Sequence, residues 1–98
     1  GMLPQLWSLE QNFPNPFNNT TAIAFSAPPG PSQWVRLEIF NLSGQKIATP
    51  FAGIATTGRN LVYWDARLPS GTPAASGLYI YRLCTSASER HRSLILLR

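Results

Sequence analysis

Few residues of this 98-residue chain could carry out acid–base, nucleophilic or metal chemistry. The candidates are one histidine, one cysteine and four carboxylates: His91, Cys84, Glu10, Glu38, Asp65 and Glu89. Nucleophilic hydrolysis needs a serine or cysteine beside a base that a third group orients, and glycoside hydrolysis needs two facing carboxylates. Neither arrangement can be argued from a histidine set between two arginines and carboxylates spread along the chain. The sequence therefore predicts no catalytic residue and no enzyme.

Metal and cofactor binding also find no support in the sequence. A lone cysteine can form neither an internal disulfide nor a cysteine-based zinc site, so Cys84 is predicted to be a small strand residue. The glycines mark turns and form no phosphate-binding loop. Asp65, which follows a predicted strand, is expected to cap its own turn. We therefore predict no metal site and no cofactor.

Composition narrows the class of protein. The net charge is +4, 44% of the residues are hydrophobic and only 12% are charged, a balance that favours a folded domain over disorder. The basic residues are scattered except near the end of the chain, whereas nucleic-acid-binding domains concentrate charge on one face, so no nucleic-acid partner is predicted. No apolar run approaches the roughly 20 residues of a membrane span, so none is predicted.

The elements that position these residues are predicted to be strands. Apolar residues recur at every second position, as in "WVRLEIFN", where Val35, Leu37 and Ile39 face one way and Arg36 and Glu38 the other. Turn residues separate the alternating runs. The predicted strands are 6–11, 20–27, 33–41, 45–51, 59–65, 77–85 and 89–97. Seven short strands in a chain of this size predict an all-β, immunoglobulin-like antiparallel sandwich rather than a barrel.

Aromatic residues add detail to this sandwich. In "SGLYIYRL", Tyr79 is expected to hydrogen-bond back to the preceding corner, with Gly77 allowing a tight approach and Tyr81 facing inward. Trp64 lies inside an alternating strand and is predicted to fill the core. Trp7 and Trp34 are expected to pack in the core or at its rim, and the alternative is an exposed ligand platform.

The stretch "SLEQNFPNPFNNTTAIAFSAP", residues 8–28, is unusual because it combines loop-forming residues with two phenylalanines. Pro14 and Pro16 are expected to hold the chain extended. Phe13 and Phe17 are then expected to reach inward at one end of the sandwich. Three asparagines are expected to bond backbone groups that no strand ladder satisfies: Asn12, Asn15 and Asn18. The stretch is predicted to be an ordered crossing between the first two strands.

This stretch resembles the opening of the C-terminal sorting domains of the type IX secretion system of Bacteroidetes, roughly L-x-Q-N-Y-P-N-P-F-N-P-x-T-x-I-x-F-x-L-P. The matched motif residues are Asn12, Pro14, Asn15, Pro16, Phe17 and Asn18. The likeness continues through "VRLEIFNLSGQKIATPF", "GRNLVYWDAR" and "SGLYIYRL". The chain departs from the pattern in Phe13, where tyrosine is usual, in Asn19, where proline is usual, and in "WDARLPSG", which lacks a second aspartate.

The resemblance implies a non-catalytic address signal. A linker at residues 1–8 would join an N-terminal cargo domain of the same precursor to a single sorting domain at residues 9–98. The domain would fold in the periplasm, and the type IX machinery would carry the cargo across the outer membrane to the cell surface or the medium. A sortase-like peptidase commonly removes such domains, and the segment before Leu9 is the expected place of cleavage.

Recognition is expected to use the last strand, "ERHRSLILLR", which combines basic residues with an apolar strand. The expected recognition residues are Arg90, Arg92 and Arg98, with Gly77 and Tyr79 supporting the preceding strand. Either Leu94 and Leu96 or Ile95 and Leu97 should face the core; the alternation leaves both open.

A second function is compatible with the same strands. The chain could be a structural or carbohydrate-binding immunoglobulin-like module of an extracellular bacterial protein. Its exposed aromatic side chains would then be expected at Trp7, Trp34 or Phe40.

Overall fold

Strands form where the sequence alternates apolar and polar residues. The computed structural model describes residues 6–98, and within them lie seven strands and no helix. The strands are β1 Ser8–Leu9, β2 Thr21–Ala27, β3 Trp34–Phe40, β4 Lys46–Ile54, β5 Gly58–Trp64, β6 Gly77–Cys84 and β7 Glu89–Leu96. The all-β prediction is confirmed, although β1 is shorter than residues 6–11 and β4 extends beyond residue 51.

Two antiparallel sheets make up the sandwich. β1, β2 and β5 form one sheet in that order, and β4, β3, β6 and β7 form the other. The hairpins β3–β4 and β6–β7 stay within the four-stranded sheet, whereas the connections β2–β3, β4–β5 and β5–β6 pass from one sheet to the other. β7 is therefore an edge strand of the four-stranded sheet.

Alternate side chains of both sheets meet in the core, as the period of two predicts. Val35, Leu37 and Ile39 are completely buried. Trp64 is buried as predicted, with its ring centroid 6.0 Å from that of Phe17. Each fully buried large apolar side chain stabilises the fold by about 1.5–3 kcal/mol.

The other two tryptophans differ from each other. Trp7 is 8% exposed and stacks on Phe25, so Trp7 belongs to the core, and Ser8 pairs with Ser26 in β1. Both residues therefore lie in the packed sandwich, ahead of the expected boundary at residue 9. Trp34 is 60% exposed and lies opposite Ile54, so it is not part of the core.

The corner before β6 has the predicted tyrosine contact. The Tyr79 hydroxyl donates a hydrogen bond to the carbonyl of Ala75, four residues earlier. The expected role of Gly77 is wrong, because a Cβ there would meet no heavy atom within 4 Å. Glycine is favoured instead by the backbone, since Gly77 has a φ of +156°, which L side chains rarely adopt.

Residues 9–17, which we call the strap, lead from β1 towards β2 past the edge of β7. Phe17 is 3% exposed and forms a parallel bridge with Leu96, which confirms that it fills one end of the sandwich. The inward orientation expected for Phe13 is wrong: Phe13 is 79% exposed because it pairs with Ala22, whose side chain points to the outer face. The strap is also not extended, since it bends at residues 14–16, and the Phe13–Pro14 and Asn15–Pro16 peptide bonds are cis.

The structure decides which face of β7 is buried. Leu94 and Leu96 are completely buried, whereas Ile95 and Leu97 are 36% and 56% exposed. The even-numbered residues of β7 therefore face the interior side of the sheet, and the odd-numbered residues face outward.

Candidate functional site

The strap covers the second half of the β7 edge. Phe17 N–H donates to the Ile95 carbonyl at 3.0 Å, and Leu97 N–H donates to the Phe17 carbonyl at 2.8 Å. Ile95 N–H donates to Oδ1 of Asn15 at 2.9 Å. These three bonds occupy the N–H and C=O groups of Ile95 and the N–H group of Leu97.

The coverage ends at Ser93. Nε2 of Gln11 donates to the Ser93 carbonyl at 2.7 Å, and Nε of Arg92 donates to the Leu9 carbonyl. The strap thus bonds the backbone of β7 only from its middle to its end. Beside the first half, β1 approaches β7, but within residues 6–98 no backbone hydrogen bond joins the two strands.

The first half of β7, Glu89–Ser93, is entirely exposed, and we call it the basic edge. A cleft of about 490 Å³ lies between it and β1, lined by Ser8, Leu9, Glu89, Arg90, His91 and Arg92. Two arginines within three residues give this cleft positive charge.

The structure brings together two of the predicted recognition residues and separates the others. Arg90 and Arg92 share the cleft. Arg98 lies past the opposite end of β7, where its guanidinium donates to the carbonyls of Ala74 and Ala66 at 2.8 and 2.7 Å. Arg98 therefore fastens the end of the chain to the loop between β5 and β6.

Gly77 and Tyr79 lie on β6 beside the covered half of β7. Gly77 pairs with Leu96, and Tyr79 pairs with Leu94. Both positions support the buried part of β7 and lie away from the basic edge.

The motif residues of the strap form a buried polar network. Asn12 is 2% exposed, and its Nδ2 donates to Oγ1 of Thr21 at 3.0 Å and to the Pro14 carbonyl at 3.2 Å. The Thr21 hydroxyl donates to the same carbonyl at 2.9 Å. Together with the Asn15 contact to β7, this confirms that two of the motif asparagines satisfy backbone groups.

Two other motif residues are exposed. The side chain of Asn18 makes no hydrogen bond to any residue from 6 to 98, so the role expected for Asn18 is wrong. Pro16 lines a small surface cleft with Pro14, Phe17, Asn18 and Leu97.

A tyrosine from β6 anchors the strap to the four-stranded sheet. The Tyr81 hydroxyl donates to the Glu10 carbonyl at 2.6 Å and accepts from the Asn12 N–H at 2.9 Å. Burial raises the pKa of Tyr81 to about 12, although the backbone bond from Asn12 and the charge of Arg92 act in the opposite direction. At neutral pH the phenol is therefore protonated and can donate.

Glu10 forms an ion pair at the other side of the strap. Its carboxylate accepts two hydrogen bonds from Arg59, at 2.9 and 3.1 Å. These bonds hold the pKa of Glu10 below its usual value although burial acts to raise it, and the charges of Arg59 and Arg92 add to the lowering.

An ion-pair network on the outer face of the four-stranded sheet was not foreseen. Glu38 is 3% exposed, and its carboxylate lies 3.2 Å from Arg82 and 3.3 Å from Lys46. Burial raises the pKa of Glu38, but hydrogen bonds from Arg82 and Lys46 outweigh it and the net pKa is lowered. The alternation correctly predicts that Glu38 faces away from the core; its burial there could have been indicated only by the pairing of Glu38 with Arg82 across β3 and β6.

The same network surrounds Cys84 and Phe40. Cys84 is half-buried, and its Sγ lies 3.7 Å from Oε1 of Glu38. The guanidinium of Arg82 lies 4.7 Å from the ring centroid of Phe40 and covers part of that ring.

Exposed aromatic residues bear on the carbohydrate-binding alternative. Of the three residues named for it, Trp7 is in the core and Phe40 lies under Arg82, which leaves Trp34. The structure adds Phe13 and Tyr63, which is 63% exposed. Both lie opposite Ala22 in register and so share the outer face of the three-stranded sheet.

Reactive groups do not converge in the described part of the chain. Residues 6–98 contain no group of three His, Cys, Asp or Glu side chains placed to hold a metal ion. Asp65 caps its turn as predicted, since its Oδ1 accepts from Arg67 N–H at 3.2 Å. Nor does any helix long and apolar enough to cross a membrane occur among these residues.

Comparison with known families decides the class of this domain. The family model described as "Secretion system C-terminal sorting domain" matches residues 11–96. The chain belongs to this family. The resemblance drawn from the strap motif and the later strands is therefore confirmed, and the domain has the role of a sorting signal in secretion.

Solved structures show the same fold as this sorting domain. The crystal structure of dimeric latent PorU from Porphyromonas gingivalis matches with a TM-score of 0.77 and 20% identity over 99% of this chain and 10% of that chain. PorZ, an essential bacterial surface component of the type IX secretion system of the same organism, matches with a TM-score of 0.59 and 17% identity over 90% of this chain and 11% of that chain. The sorting domain thus spans about a tenth of the length of these proteins. No curated protein matches the sequence.

Proposed function

We propose that this domain directs a larger precursor across the outer membrane by the type IX secretion system, and that it does so without catalysis. The match of the sorting-domain family to residues 11–96 carries this proposal. Export to the cell surface or the medium is the role of such a domain. Its cargo is a domain that precedes it in the same precursor.

We infer that the basic edge is the part of the domain that the secretion machinery recognises. Arg90 and Arg92 are exposed beside a cleft, and backbone groups of β7 remain open there. Substitution of Arg90 tests recognition more specifically than substitution of Arg92, because Arg92 also holds the strap through the Leu9 carbonyl. Arg98, Gly77 and Tyr79 support recognition by holding β7 in place.

The proposed order of events in export assumes that the secretion machinery recognises the folded domain. The domain folds in the periplasm, the machinery binds it, and a sortase-like peptidase removes it. Trp7 is buried and Ser8 is paired in β1, so the peptidase must cut before Trp7 if the sandwich stays intact.

A reporter fusion tests the proposal. Residues 5–98 are placed behind a signal peptide and a fluorescent protein, in a Bacteroidetes host with an intact type IX system and in a mutant without it. We expect the reporter outside the wild-type cell and in the periplasm of the mutant. A folded reporter fusion that stays in the periplasm of both hosts would refute the sorting function.

Charge variants test the basic edge within the same assay. Arg90→Gln should reduce export with an unchanged melting temperature. Arg36→Gln is the matched control, because Arg36 is exposed on β3, away from the basic edge. Equal export of the two variants would contradict recognition through Arg90.

A structural or carbohydrate-binding module remains the second candidate, and exposed Trp34 is the observation that favours it. That function predicts glycan binding that Trp34→Ala abolishes, and export that does not require the domain. A glycan array probed with wild type and with Trp34→Ala tests this alternative. Glycan binding by wild type that is lost in Trp34→Ala would favour the carbohydrate-binding module over the sorting signal.

A further inference from the structure

We propose that the partner of the basic edge is an extended segment that alternates acidic and apolar residues and adds to β7 as a fifth strand beside Glu89–Ser93. This inference rests on the proposed sorting function, since it names the chemistry of the recognising partner. It follows from the backbone register of β7 and from the two clefts that flank the first half of that strand.

The backbone register leaves one half of the edge open. Thr85 N–H donates to the Ser88 carbonyl at the β6–β7 turn. Hydrogen-bonded pairs alternate along an antiparallel ladder, so the even-numbered residues of β7 bond to β6 and the odd-numbered residues direct their N–H and C=O groups away from it. The strap contacts at Ile95 and Leu97 agree with this register.

Glu89, His91 and Ser93 therefore present the open groups. Gln11 occupies the Ser93 carbonyl, and within residues 6–98 no side chain bonds the backbone groups of Glu89 or His91. A strand that pairs here can extend over about five residues, or roughly 15 Å, before it meets the strap. An exposed edge of this kind is a template for strand addition.

The positive charge of Arg90 and Arg92 favours acidic residues on the interior-facing side of the added strand. Arg90 and Arg92 face the interior side of the sheet at its open end and line the cleft of about 490 Å³. Arg92 reaches β1 through its bond to the Leu9 carbonyl, whereas the side chain of Arg90 makes no hydrogen bond within residues 6–98. Directly opposite side chains in neighbouring strands lie close together, so alternate residues of the partner would meet these arginines. Carboxylates are the complementary groups for guanidinium.

Apolar surface selects the residues on the other face. A groove of about 410 Å³ borders the outward side of the basic edge, and its apolar lining residues are Phe40, Leu42 and Ile80. Its charged lining residues, Arg82 and Glu89, pair with each other at 3.5 Å. Leu42 is 67% exposed. The intervening residues of the partner would lie over this groove, which fits valine or isoleucine better than a charged side chain.

Binding of synthetic peptides tests the strand addition. The probe is a seven-residue peptide of alternating Glu and Val, blocked at both ends, titrated into the 98-residue chain by calorimetry and by amide NMR. We expect binding that weakens at high salt, with the largest shifts at Glu89–Ser93. A peptide of alternating Lys and Val is the charge control, and equal binding of both peptides would overturn the proposal.

Two substitutions of one residue separate backbone pairing from side-chain contact. His91→Pro removes one backbone hydrogen-bonding group, the outward N–H that β6 does not use, together with the imidazole, and proline is tolerated on strand edges. His91→Ala removes the imidazole alone. We expect His91→Pro to weaken binding at least tenfold, while His91→Ala stays near wild type. Arg90→Gln should weaken binding about tenfold, as the loss of one charge-assisted hydrogen bond predicts.

The peptide-binding and reporter-export experiments test strand addition and the sorting function separately. No peptide binding to a domain that exports its reporter would overturn the strand addition and leave the sorting function standing. Peptide binding with the reporter retained in both hosts would support the strand addition and refute the sorting function. Equal binding to wild type and His91→Pro would overturn strand addition.

Discussion

The hydroxyl oxygen of Tyr81 lies 2.9 Å from the backbone nitrogen of Asn12, a residue 69 positions earlier in the chain. The same hydroxyl donates to the Glu10 carbonyl at 2.6 Å. One phenol on β6 therefore satisfies two backbone groups of the strap, and it fixes the strap beside the edge of β7.

Removal of the Tyr81 hydroxyl should destabilise the domain. Tyr81→Phe keeps the ring in the core but leaves the buried N–H of Asn12 without its partner, at a cost of about 1–3 kcal/mol. Urea unfolding measures the difference. An unchanged unfolding midpoint would show that water replaces the phenol.

Folding stability at alkaline pH should depend on Tyr81. The pKa of Tyr81 is raised from 10.0 to about 12 in the folded protein, so the unfolded chain ionises first. The corresponding stability is fully present below pH 10 and is lost as the pH rises through about 12, by roughly 2–3 kcal/mol. Unfolding measured over this range should show the loss in wild type and a smaller one in Tyr81→Phe. The same loss in both proteins would assign it to another group.

The two phenylalanines of the motif should differ sharply. Phe17→Ala removes a buried ring that packs on Trp64 and should cost about 3–5 kcal/mol. Phe13→Ala is the matched control and should change stability by no more than about 0.5 kcal/mol, because Phe13 is 79% exposed. Thermal unfolding of both variants checks this. Similar losses would mean that Phe13 is buried in solution.

The asparagines of the motif offer a second matched pair. Asn12→Ala leaves the Pro14 carbonyl and the Thr21 hydroxyl with fewer partners and should cost about 1–3 kcal/mol. Asn18→Ala, at an exposed position, should stay within about 0.5 kcal/mol of wild type. Chemical unfolding compares them. A larger loss for Asn18→Ala would contradict the network described above.

The loss of folding stability at acidic pH should depend in part on Glu38. Its pKa is lowered in the folded state, so the stability that it contributes is present above its unfolded pKa near 4.5 and is lost as the pH falls through the folded value. Glu38→Gln should cost about 1–2 kcal/mol at neutral pH and flatten the acid side of the stability profile. An acid unfolding curve that coincides with that of wild type would show that other carboxylates carry the dependence.

Much of the fold could be predicted because strand alternation is a local property. The period of two placed Val35, Leu37 and Ile39 in the core and made Trp64 a core residue, as the structure confirms. The orientation of Phe13 differs from the prediction because a proline-rich loop has no such period, and the outward orientation depends on pairing with Ala22. Glu38 faces away from the core as the alternation predicts, but its burial on the outer face depends on contacts with Arg82 and Lys46 that come from neighbouring strands.

The strands, the core residues of β3 and β5 and the sorting-domain family could all be inferred from the amino-acid sequence, because periodicity and a short motif can be recognised along the chain. Only the tertiary structure decided that Leu94 and Leu96 face the core and that the strap covers the second half of β7. It also set Arg90 and Arg92 apart from Arg98. These arrangements depend on contacts between residues far apart in the chain, which no local pattern encodes: Asn15 bonds Ile95, 80 positions away, and Arg98 bonds Ala66, 32 positions away.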